Sequence, residues 1–285
     1  MLARMIKTLS AGAIGVRTEN LDAGLAAAKQ GGFDGLEFSI GEVAAMGADV
    51  ARDKFKAAAI EPAVFGVPVD WRGDEDKWMA SLKELPALAN AARDLGCNRC
   101  ATWIMPADND RPFGANLKFH VERFRPIAEI LGECGVSIGL EFVGPKTLRD
   151  KFTHTFVYDM AGMLDMAGRI GPNVGLLLDC FHWYTSHGTV DDIRRLKPEQ
   201  VVYVHINDAA EGRTEDEQID GDRRLPAQSG VIDIAGFLGA LHQIGFDGPV
   251  ACEPFYPKLN DLPSDQERMS TVKAAIDKAF ASAGL

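Results

Sequence analysis

The sequence of 285 residues predicts an α/β fold, a single (β/α)8 barrel, and three observations support this prediction. Strand-like and helix-like segments alternate along the whole chain. The strand-like segments are short apolar runs without polar alternation, which is typical of parallel strands buried on both faces. Eight such strands and eight helices in a chain of this length are what a barrel requires. No Ser/Pro-rich linker interrupts the chain, so we expect one domain over residues 1–285.

Eight segments are predicted as barrel strands because they are rich in β-branched residues or leucine and are bounded by turn residues. In chain order they are 9–16, 35–38, 61–67, 99–103, 137–142, 174–178, 201–206 and 249–253.

Eight further segments show the periodicity of amphipathic helices. In chain order they are 21–30, 50–59, 77–95, 117–133, 155–170, 190–196, 234–244 and about 266–281. Asn20 and Asp74 precede two of these helices as N-caps. Gly96, Gly135 and Gly245 follow three of them, where a left-handed C-cap is expected. A dinucleotide-binding fold is not supported, because no Gly-x-Gly-x-x-Gly turn opens an early helix.

Four apolar runs of the second half end in a side chain suited to chemistry. These residues are Glu141, Asp179, His205 and Glu253. The downstream ends of the strands of a barrel meet at one mouth, where active sites are built. A single strand-end glutamate is often only a cap or an ion-pair partner, but four such residues at one mouth favour a shared role.

Three carboxylates and one imidazole form an oxygen and nitrogen donor set for a divalent cation. We therefore expect one bound cation, Mn²⁺, Mg²⁺ or Co²⁺, with Zn²⁺ also compatible with this donor set. The second histidine near these residues is His182, three positions after Asp179. We expect it to hydrogen-bond a substrate hydroxyl, with a purely structural role as the alternative.

The composition is that of a globular protein with an acidic surface, at 46% hydrophobic residues and a net charge of −11. Such a surface repels phosphate backbones and anionic lipids, so neither nucleic acid nor membrane is expected as a partner. The five cysteines are scattered and odd in number, and the first residues lack a secretory pattern, so we expect reduced thiols and a cytoplasmic location. Cys97 and Cys100 lack a second pair for zinc and are expected to be packed. A homo-oligomer is compatible with the sequence.

The connection over residues 207–233 is unusually long and follows the strand that carries His205. Connections of this length are usually functional or disordered. We expect a lid over the mouth, in which Arg223 and Arg224 interrupt an acidic run and clamp a substrate. A solvated acidic loop is the alternative.

Three aromatic residues, Trp103, Trp183 and Phe255, are candidates for apolar walls of a binding site, and each is equally compatible with a place in the core. The segment that follows the last strand is aromatic rather than glycine-rich, which argues against a phosphate site. A neutral polyol or ketose is therefore the expected ligand.

The chain resembles the xylose-isomerase-like TIM-barrel sugar isomerase/epimerase superfamily, and is closest to the 2-keto-myo-inositol (inosose) isomerases. The resemblance is densest from about residue 137 to 256. It rests on Glu141-Phe-Val-Gly144, Val174-Gly-Leu-Leu-Leu-Asp-Cys-Phe-His182, His205-Ile-Asn-Asp208, Asp222-Arg-Arg-Leu-Pro226, Gly230-Val-Ile-Asp233 and Gly245-Phe-Asp-Gly-Pro-Val-Ala-Cys-Glu-Pro254.

The resemblance implies that Glu141, Asp179, His205 and Glu253 hold one divalent cation, and that His182 and Arg223 contact the substrate. Two departures limit what it implies about the substrate. One extra residue follows the arginine, in Pro226-Ala-Gln-Ser-Gly230. The acidic residue that epimerases of free ketohexoses carry after the first ligand is absent from Phe142-Val-Gly-Pro-Lys146.

The implied activity is the isomerisation or epimerisation of a keto sugar or keto-inositol through an enediolate, with Glu141 and Glu253 exchanging the proton. The same first step would also allow dehydration, so an inosose dehydratase or another lyase is an alternative. An endonuclease-IV-like repair enzyme would need further metal ligands on the third and fourth strands, which end without them. A non-catalytic sugar-binding module would be expected to lack one of the four ligands.

Overall fold

A closed barrel of parallel strands surrounded by helices forms the fold in the computed structural model, which describes residues 4–285. The strands are β1 (Met5–Leu9), β2 (Gly35–Phe38), β3 (Glu61–Gly66), β4 (Arg99–Ile104), β5 (Ala107–Asp108), β6 (Ser137–Phe142), β7 (His154–Thr155), β8 (Val174–Asp179), β9 (Val201–Ile206) and β10 (Gly248–Cys252). The barrel order is β1-β10-β9-β8-β6-β4-β3-β2, while β5 and β7 form a short antiparallel pair beside it. The predicted fold class is therefore confirmed.

The helices lie around the barrel or follow its strands directly. They are α1 (Leu21–Gly31), α2 (Ile40–Met46), α3 (Ala48–Ala58), α4 (Glu75–Leu95), α5 (Phe113–Glu133), α6 (Lys146–Arg149), α7 (Met160–Ile170), α8 (Cys180–Thr185), α9 (Val190–Arg194), α10 (Ile234–Ile244) and α11 (Asp265–Ser282). Within residues 4–285, none of these helices is long and apolar enough to cross a membrane.

Several predicted boundaries match the structure because local signals set them. Asn20 and Asp74 cap their helices by accepting hydrogen bonds from backbone N–H groups at 3.0 and 2.9 Å. Gly96 and Gly245 follow α4 and α10 with φ angles of 91° and 83°, as a left-handed C-cap requires. Short helices α2, α6 and α8 were not predicted, since six or so residues after a strand show too little periodicity.

The first predicted strand is wrong. Residues 9–16 were assigned to it, but β1 ends at Leu9 and residues Gly12–Ile14 form a 3₁₀ turn. Gly15 then takes a φ of 73°, which glycine adopts without strain. The small apolar residues of this segment turn the chain at the mouth of the barrel, although their composition resembles that of a strand.

The barrel interior is filled by apolar side chains below the mouth. They are Val64, Ala101, Leu177, Tyr203 and Ala251. Side chains of a strand return to the same face every second residue. Asp179, His205 and Glu253 each stand two positions after one of these filler residues, so they too face the barrel axis. The polar side chains therefore form the layer directly above an apolar plug.

Candidate metal centre and active site

The four predicted ligands come together at the mouth. One donor atom from each of Glu141, Asp179, His205 and Glu253 lies within 4.8 Å of all the others. Nδ1 of His205 lies 3.4 Å from a Glu141 oxygen, 3.8 Å from one of Asp179 and 3.6 Å from one of Glu253. Among residues 4–285, this is the one cluster of such side chains with metal-ligand spacing.

Strand register explains why these residues meet. Asp179 is paired with His205 across β8 and β9, and Trp103 is paired with Glu141 across β4 and β6. Glu253 follows β10, whose Ala251 is also paired with His205. Parallel strands in this register place the side chains at a similar height, so the barrel brings together residues far apart in the sequence.

The cluster fits a divalent cation by two criteria. Both ring nitrogens of His205 and one oxygen of Glu141 are buried without a hydrogen-bond partner. Unpaired buried polar atoms are unfavourable by about 1–3 kcal/mol each, and a cation would satisfy them. Donor atoms around one cation at roughly 2.0–2.2 Å lie about 3–4 Å apart, which is the range found around His205. The four residues would hold the cation with oxygen and nitrogen donors.

The charges of the cluster shift its proton equilibria. Burial, and to a smaller extent the negative charges of Glu253 and Asp179, raises the pKa of Glu141 to about 8. Burial opposes the charged imidazole of His205, but the carboxylates of Glu253 and Glu141 outweigh it and raise its pKa well above the usual value. Burial likewise opposes the charge of Glu253, yet His205 and Arg223 lower its pKa. A proton and a divalent cation therefore compete for the same negatively charged cluster of side chains.

Arg223 is completely buried beside this cluster. Its Nη1 donates to Asp179 at 2.9 Å and to the backbone oxygen of Glu253 at 3.1 Å. Its Nη2 donates to Asp220 at 2.8 Å, and the guanidinium lies 4.6 Å from the centre of the Phe255 ring. The sequence predicted that Arg223 clamps a substrate, and the structure shows that its guanidinium is bonded to a candidate cation ligand while also lining the cavity beside it.

His182 is held in one tautomer by Arg223. Nη2 of Arg223 lies 3.1 Å from Nε2 of His182. Because a guanidinium only donates, Nε2 must accept and the ring proton is assigned to Nδ1. Burial, assisted by the charge of Arg223, lowers the pKa of His182 and keeps the ring neutral. Nδ1 is buried and has no hydrogen-bond partner in the described chain, so the N–H of this ring is unpaired.

Two adjoining cavities open at the mouth. The inner lobe, of about 260 Å³, is lined by Glu141, His182, Arg223 and Trp103 among others. The outer lobe, of about 580 Å³, lies over β1 and β2 and is lined by Glu37, Glu42 and Thr18 among others. Glu253 and Phe255 line both lobes.

The three predicted aromatic walls have different positions. Trp103 and Phe255 both line the inner lobe and are 46% and 44% exposed. Phe255 has a φ of 36°, an unfavourable angle for a residue with a side chain, which holds its ring between the lobes. Trp183 takes the second of its two expected positions, because it is buried in the core against Phe237 at 5.3 Å between ring centres. Its indole N–H donates to the backbone oxygen of Thr189 at 3.3 Å, so the one polar atom of this buried ring is paired.

Sequence reasoning missed two residues that support the site. The amide of Asn207 donates to both oxygens of Asp179, at 3.2 and 3.0 Å. Asp208 accepts backbone hydrogen bonds from Ser229, Gly230 and Ile232, at 3.0, 2.7 and 2.9 Å. A polar pair directly after the strand of His205 was a visible signal for both. Asp220, which binds Arg223, carries no signal within its acidic segment.

The 207–233 segment is held by hydrogen bonds rather than loosely solvated, and the Thr147 hydroxyl on α6 donates to the backbone oxygen of its Gln218 at 2.6 Å. Asp208 and Arg224 exchange backbone hydrogen bonds at 2.9 and 2.7 Å, and Gln218 is buried. The side chain of Arg224 pairs with Asp222 at 2.9 Å and with Glu211 at 3.4 Å, so acidic residues of the segment itself engage it. The role of the segment as a lid stays a prediction.

The thiol predictions agree with the structure. All five cysteines are unpaired, and Cys97 and Cys100 are buried. Burial raises the pKa of Cys97 to about 11, so its thiol stays protonated and packed.

Comparisons with known proteins give matches over most of the chain. A family model described as the xylose isomerase-like TIM barrel matches residues 25–277. An inosose isomerase from Bacillus velezensis is 27% identical over 243 residues, which cover 82% of this chain and 81% of that protein.

Solved structures match the fold closely. A xylose isomerase domain protein from Alicyclobacillus acidocaldarius superposes with a TM-score of 0.85 at 28% identity, covering 99% of this chain and 100% of the other. The IOLI protein, solved with a binding zinc atom, superposes with a TM-score of 0.77 at 22% identity and covers 97% of this chain and 98% of its own. At that identity the second match shows the shared fold alone.

Proposed function

Because this chain belongs to the xylose isomerase-like TIM barrel family, we propose that it is a divalent-metal-dependent isomerase or epimerase of a keto sugar or keto-inositol. It is an enzyme of the sugar isomerase and epimerase kind, since a relative named inosose isomerase aligns with 82% of it. The family resemblance predicted from the sequence is confirmed. One observation carries the finer proposal: four donor atoms within 4.8 Å lie at the mouth beside a cavity that contains His182 and Arg223.

The cation in this proposal is Mn²⁺, Mg²⁺ or Co²⁺, with Zn²⁺ compatible, held by Glu141, Asp179, His205 and Glu253. The donor set supports it, and so does a neighbour of the same fold that was solved with zinc. When bound, such a cation polarises a carbonyl group and makes the adjacent C–H more acidic.

In this proposal the two glutamates transfer the proton. Glu141 belongs to β6 and Glu253 follows β10, and β8 and β9 separate these strands in the barrel order. Their carboxylates therefore approach the mouth from two sides. In the proposed reaction one of them removes the proton next to a ketone to give an enediolate, and the other returns a proton to the adjacent carbon or to the opposite face.

The surrounding residues orient the substrate in this proposal. His182 offers its Nδ1–H to a substrate oxygen, while Arg223 fixes the ring that carries it. Trp103 and Phe255 form apolar walls that limit water near the reacting carbons. The inner lobe holds Arg223 already engaged with carboxylates, which supports a neutral ligand rather than a phosphate.

We further propose one domain over residues 1–285 in which the 207–233 segment covers the mouth.

The proposed location is the cytoplasm, which the unpaired and mostly buried cysteines support. A small-molecule sugar or cyclitol is the proposed partner, without nucleic acid.

The test is a screen of the purified protein, loaded with Mn²⁺, against inososes, ketohexoses and ketopentoses, with products identified by NMR in D2O. Isomer or epimer products that carry solvent deuterium next to the carbonyl, or a substrate deuterium isotope effect, are expected. A product that has lost one water molecule, as an enol or its diketone tautomer, would instead identify a dehydratase. Turnover with neither deuterium incorporation nor an isotope effect would contradict proton transfer through an enediolate.

A further inference from the structure

The outer lobe is a second, larger space at the same mouth. Its volume of about 580 Å³ is more than twice the 260 Å³ of the inner lobe. It is bounded by the turn after β1, the start of α1, and β2 with the helix that follows it. Because Glu253 and Phe255 line both spaces, a molecule bound beside the candidate cation can extend past the Phe255 ring into the outer lobe.

The lining charges decide what kind of group fits there. Glu37, Glu42 and Glu253 line the outer lobe, and no lysine or arginine does. Glu37 and Glu42 lie outside the candidate cation cluster, and without a lysine or arginine in this lining their carboxylates repel a phosphate or carboxylate group. Hydroxyl groups, in contrast, donate hydrogen bonds to carboxylates, so a polyhydroxylated group matches this lining.

In the carboxylates of Glu42 and Glu37, one oxygen accepts a hydrogen bond that holds the side chain in place. Glu42 accepts a hydrogen bond from the backbone N–H of Leu21 at 2.7 Å, and Glu37 accepts one from the Tyr203 hydroxyl at 3.2 Å. These bonds leave the second oxygen of each carboxylate for a ligand. Thr18 and Ser10 line the same space and add hydroxyl groups that both donate and accept.

The lobe also has an apolar side. Leu36, Phe38 and Phe255 line it together with the polar residues. Ligand sites combine apolar surface with a few fixed polar groups, and a sugar ring presents C–H faces and hydroxyl edges to such a lining.

We propose that the outer lobe is a subsite for a neutral glycosyl substituent, so that the substrate class includes glycosides of a keto sugar or keto-inositol whose reacting ring occupies the inner lobe. This inference rests on the proposed function, since it takes the inner lobe as the place of reaction. It adds a substrate portion of about one sugar ring and excludes an anionic substituent at that position.

The test compares matched ligands by calorimetry with the Mn²⁺-loaded protein. The pairs are D-fructose against its 3-, 4-, 5- and 6-O-glucosides, and myo-inositol against its α-galactoside. We expect at least one glycoside to bind at least tenfold more tightly than its parent. D-fructose 6-phosphate should bind more weakly than D-fructose.

A variant whose side chain fills the outer lobe tests whether the preference for the glycoside arises in that lobe. Gly12 lines the outer lobe, and a Cβ placed there would meet no atom within 4 Å. Gly12→Trp should therefore remove the preference for the glycoside over its parent. The matched control is Gly168→Trp on the exposed side of α7, where a Cβ would also meet no atom within 4 Å. Thr18→Trp is a second filling variant if Gly12→Trp lowers the melting temperature.

The outcomes separate this inference from the proposed function. If parent sugars bind or are converted but no glycoside binds more tightly, or if both filling variants keep the preference, the subsite is wrong and the proposed function stands. If neither parents nor glycosides bind, the subsite is wrong, and the proposed function is also wrong when the screen finds no conversion of any inosose, ketohexose or ketopentose. A preference that is lost in a filling variant and kept in Gly168→Trp supports the subsite.

Discussion

The guanidinium of Arg223 donates a hydrogen bond to the carboxylate of Asp179 at 2.9 Å, and both side chains are completely buried. The same guanidinium donates to Nε2 of His182 at 3.1 Å. One arginine therefore joins a candidate cation ligand to a candidate substrate contact. This arrangement fixes the positions of Asp179 and His182 before any ligand arrives.

We expect Arg223→Ala to lower the free energy of unfolding by roughly 3–5 kcal/mol, because it leaves the buried carboxylate of Asp179 without its charged partner. Urea denaturation of the protein, after a chelator has removed bound metal, measures this change. Arg224→Ala is the matched control, since its partners Asp222 and Glu211 are partly or largely exposed and the loss should be about 1 kcal/mol or less. Equal effects of the two variants would contradict the structural role of Arg223.

Replacement of His205 or Asp179 by alanine should weaken cation binding by roughly 100-fold or more, because each variant removes one of the four donors. Calorimetric titration of chelated protein with Mn²⁺, Co²⁺ and Zn²⁺ measures it. In the unchanged protein, saturating cation should also raise the melting temperature by mass action. The control is His242→Ala on the exposed face of α10. Unchanged cation affinity in both ligand variants would refute the site.

Stability of the chelated protein should fall as the pH rises from about 6.5 to 8, by roughly 1–3 kcal/mol. Folding raises the pKa of Glu141 from 4.5 to about 8 and that of His205 well above 6.5, so the folded state binds more protons in this window. His120, whose pKa burial lowers to about 4, and His182, whose pKa is also lowered, act in the opposite direction only below pH 6.5.

Melting temperatures measured across this pH window test the expectation. A saturating divalent cation should remove the decline, because it stabilises the ionised carboxylates, and Glu141→Gln should make it shallower. Stability of the metal-free protein that stays constant or rises with pH in this window would show that folding does not raise the pKa values of Glu141 and His205.

Glu141→Gln and Glu253→Gln should each lower kcat by about 100-fold or more, the usual contribution of a positioned acid or base. Each amide keeps an oxygen donor, so part of the cation affinity should remain. His182→Ala should instead raise KM more than it lowers kcat, because the ring is proposed to hold a substrate oxygen. Steady-state kinetics with cation content measured on the same samples checks this split. A kcat near that of the unchanged protein in both Gln variants would exclude these glutamates as the proton carriers.

The barrel and the position of its polar residues were readable from the sequence because the signals are local. An apolar run that ends in Asp179 or His205 needs no knowledge of distant residues, and period two predicts the face of the strand on which each side chain lies. The same locality explains the error at residues 9–16. Small apolar residues there form a turn, and only the pairing of β1 with β10 and β2 shows where the strand ends.

By itself, the sequence determined the fold class and which residues face the mouth, since chain order and barrel closure bring strand ends together. Only the tertiary structure decided the surroundings of those residues. Arg223 reaches Asp179 and His182 across 44 and 41 positions of the chain, and Phe255 separates two lobes built from opposite sides of the barrel. Hydrogen bonds and cavities between distant segments depend on how helices and loops pack over the mouth, and packing between distant segments leaves no periodic trace in the sequence.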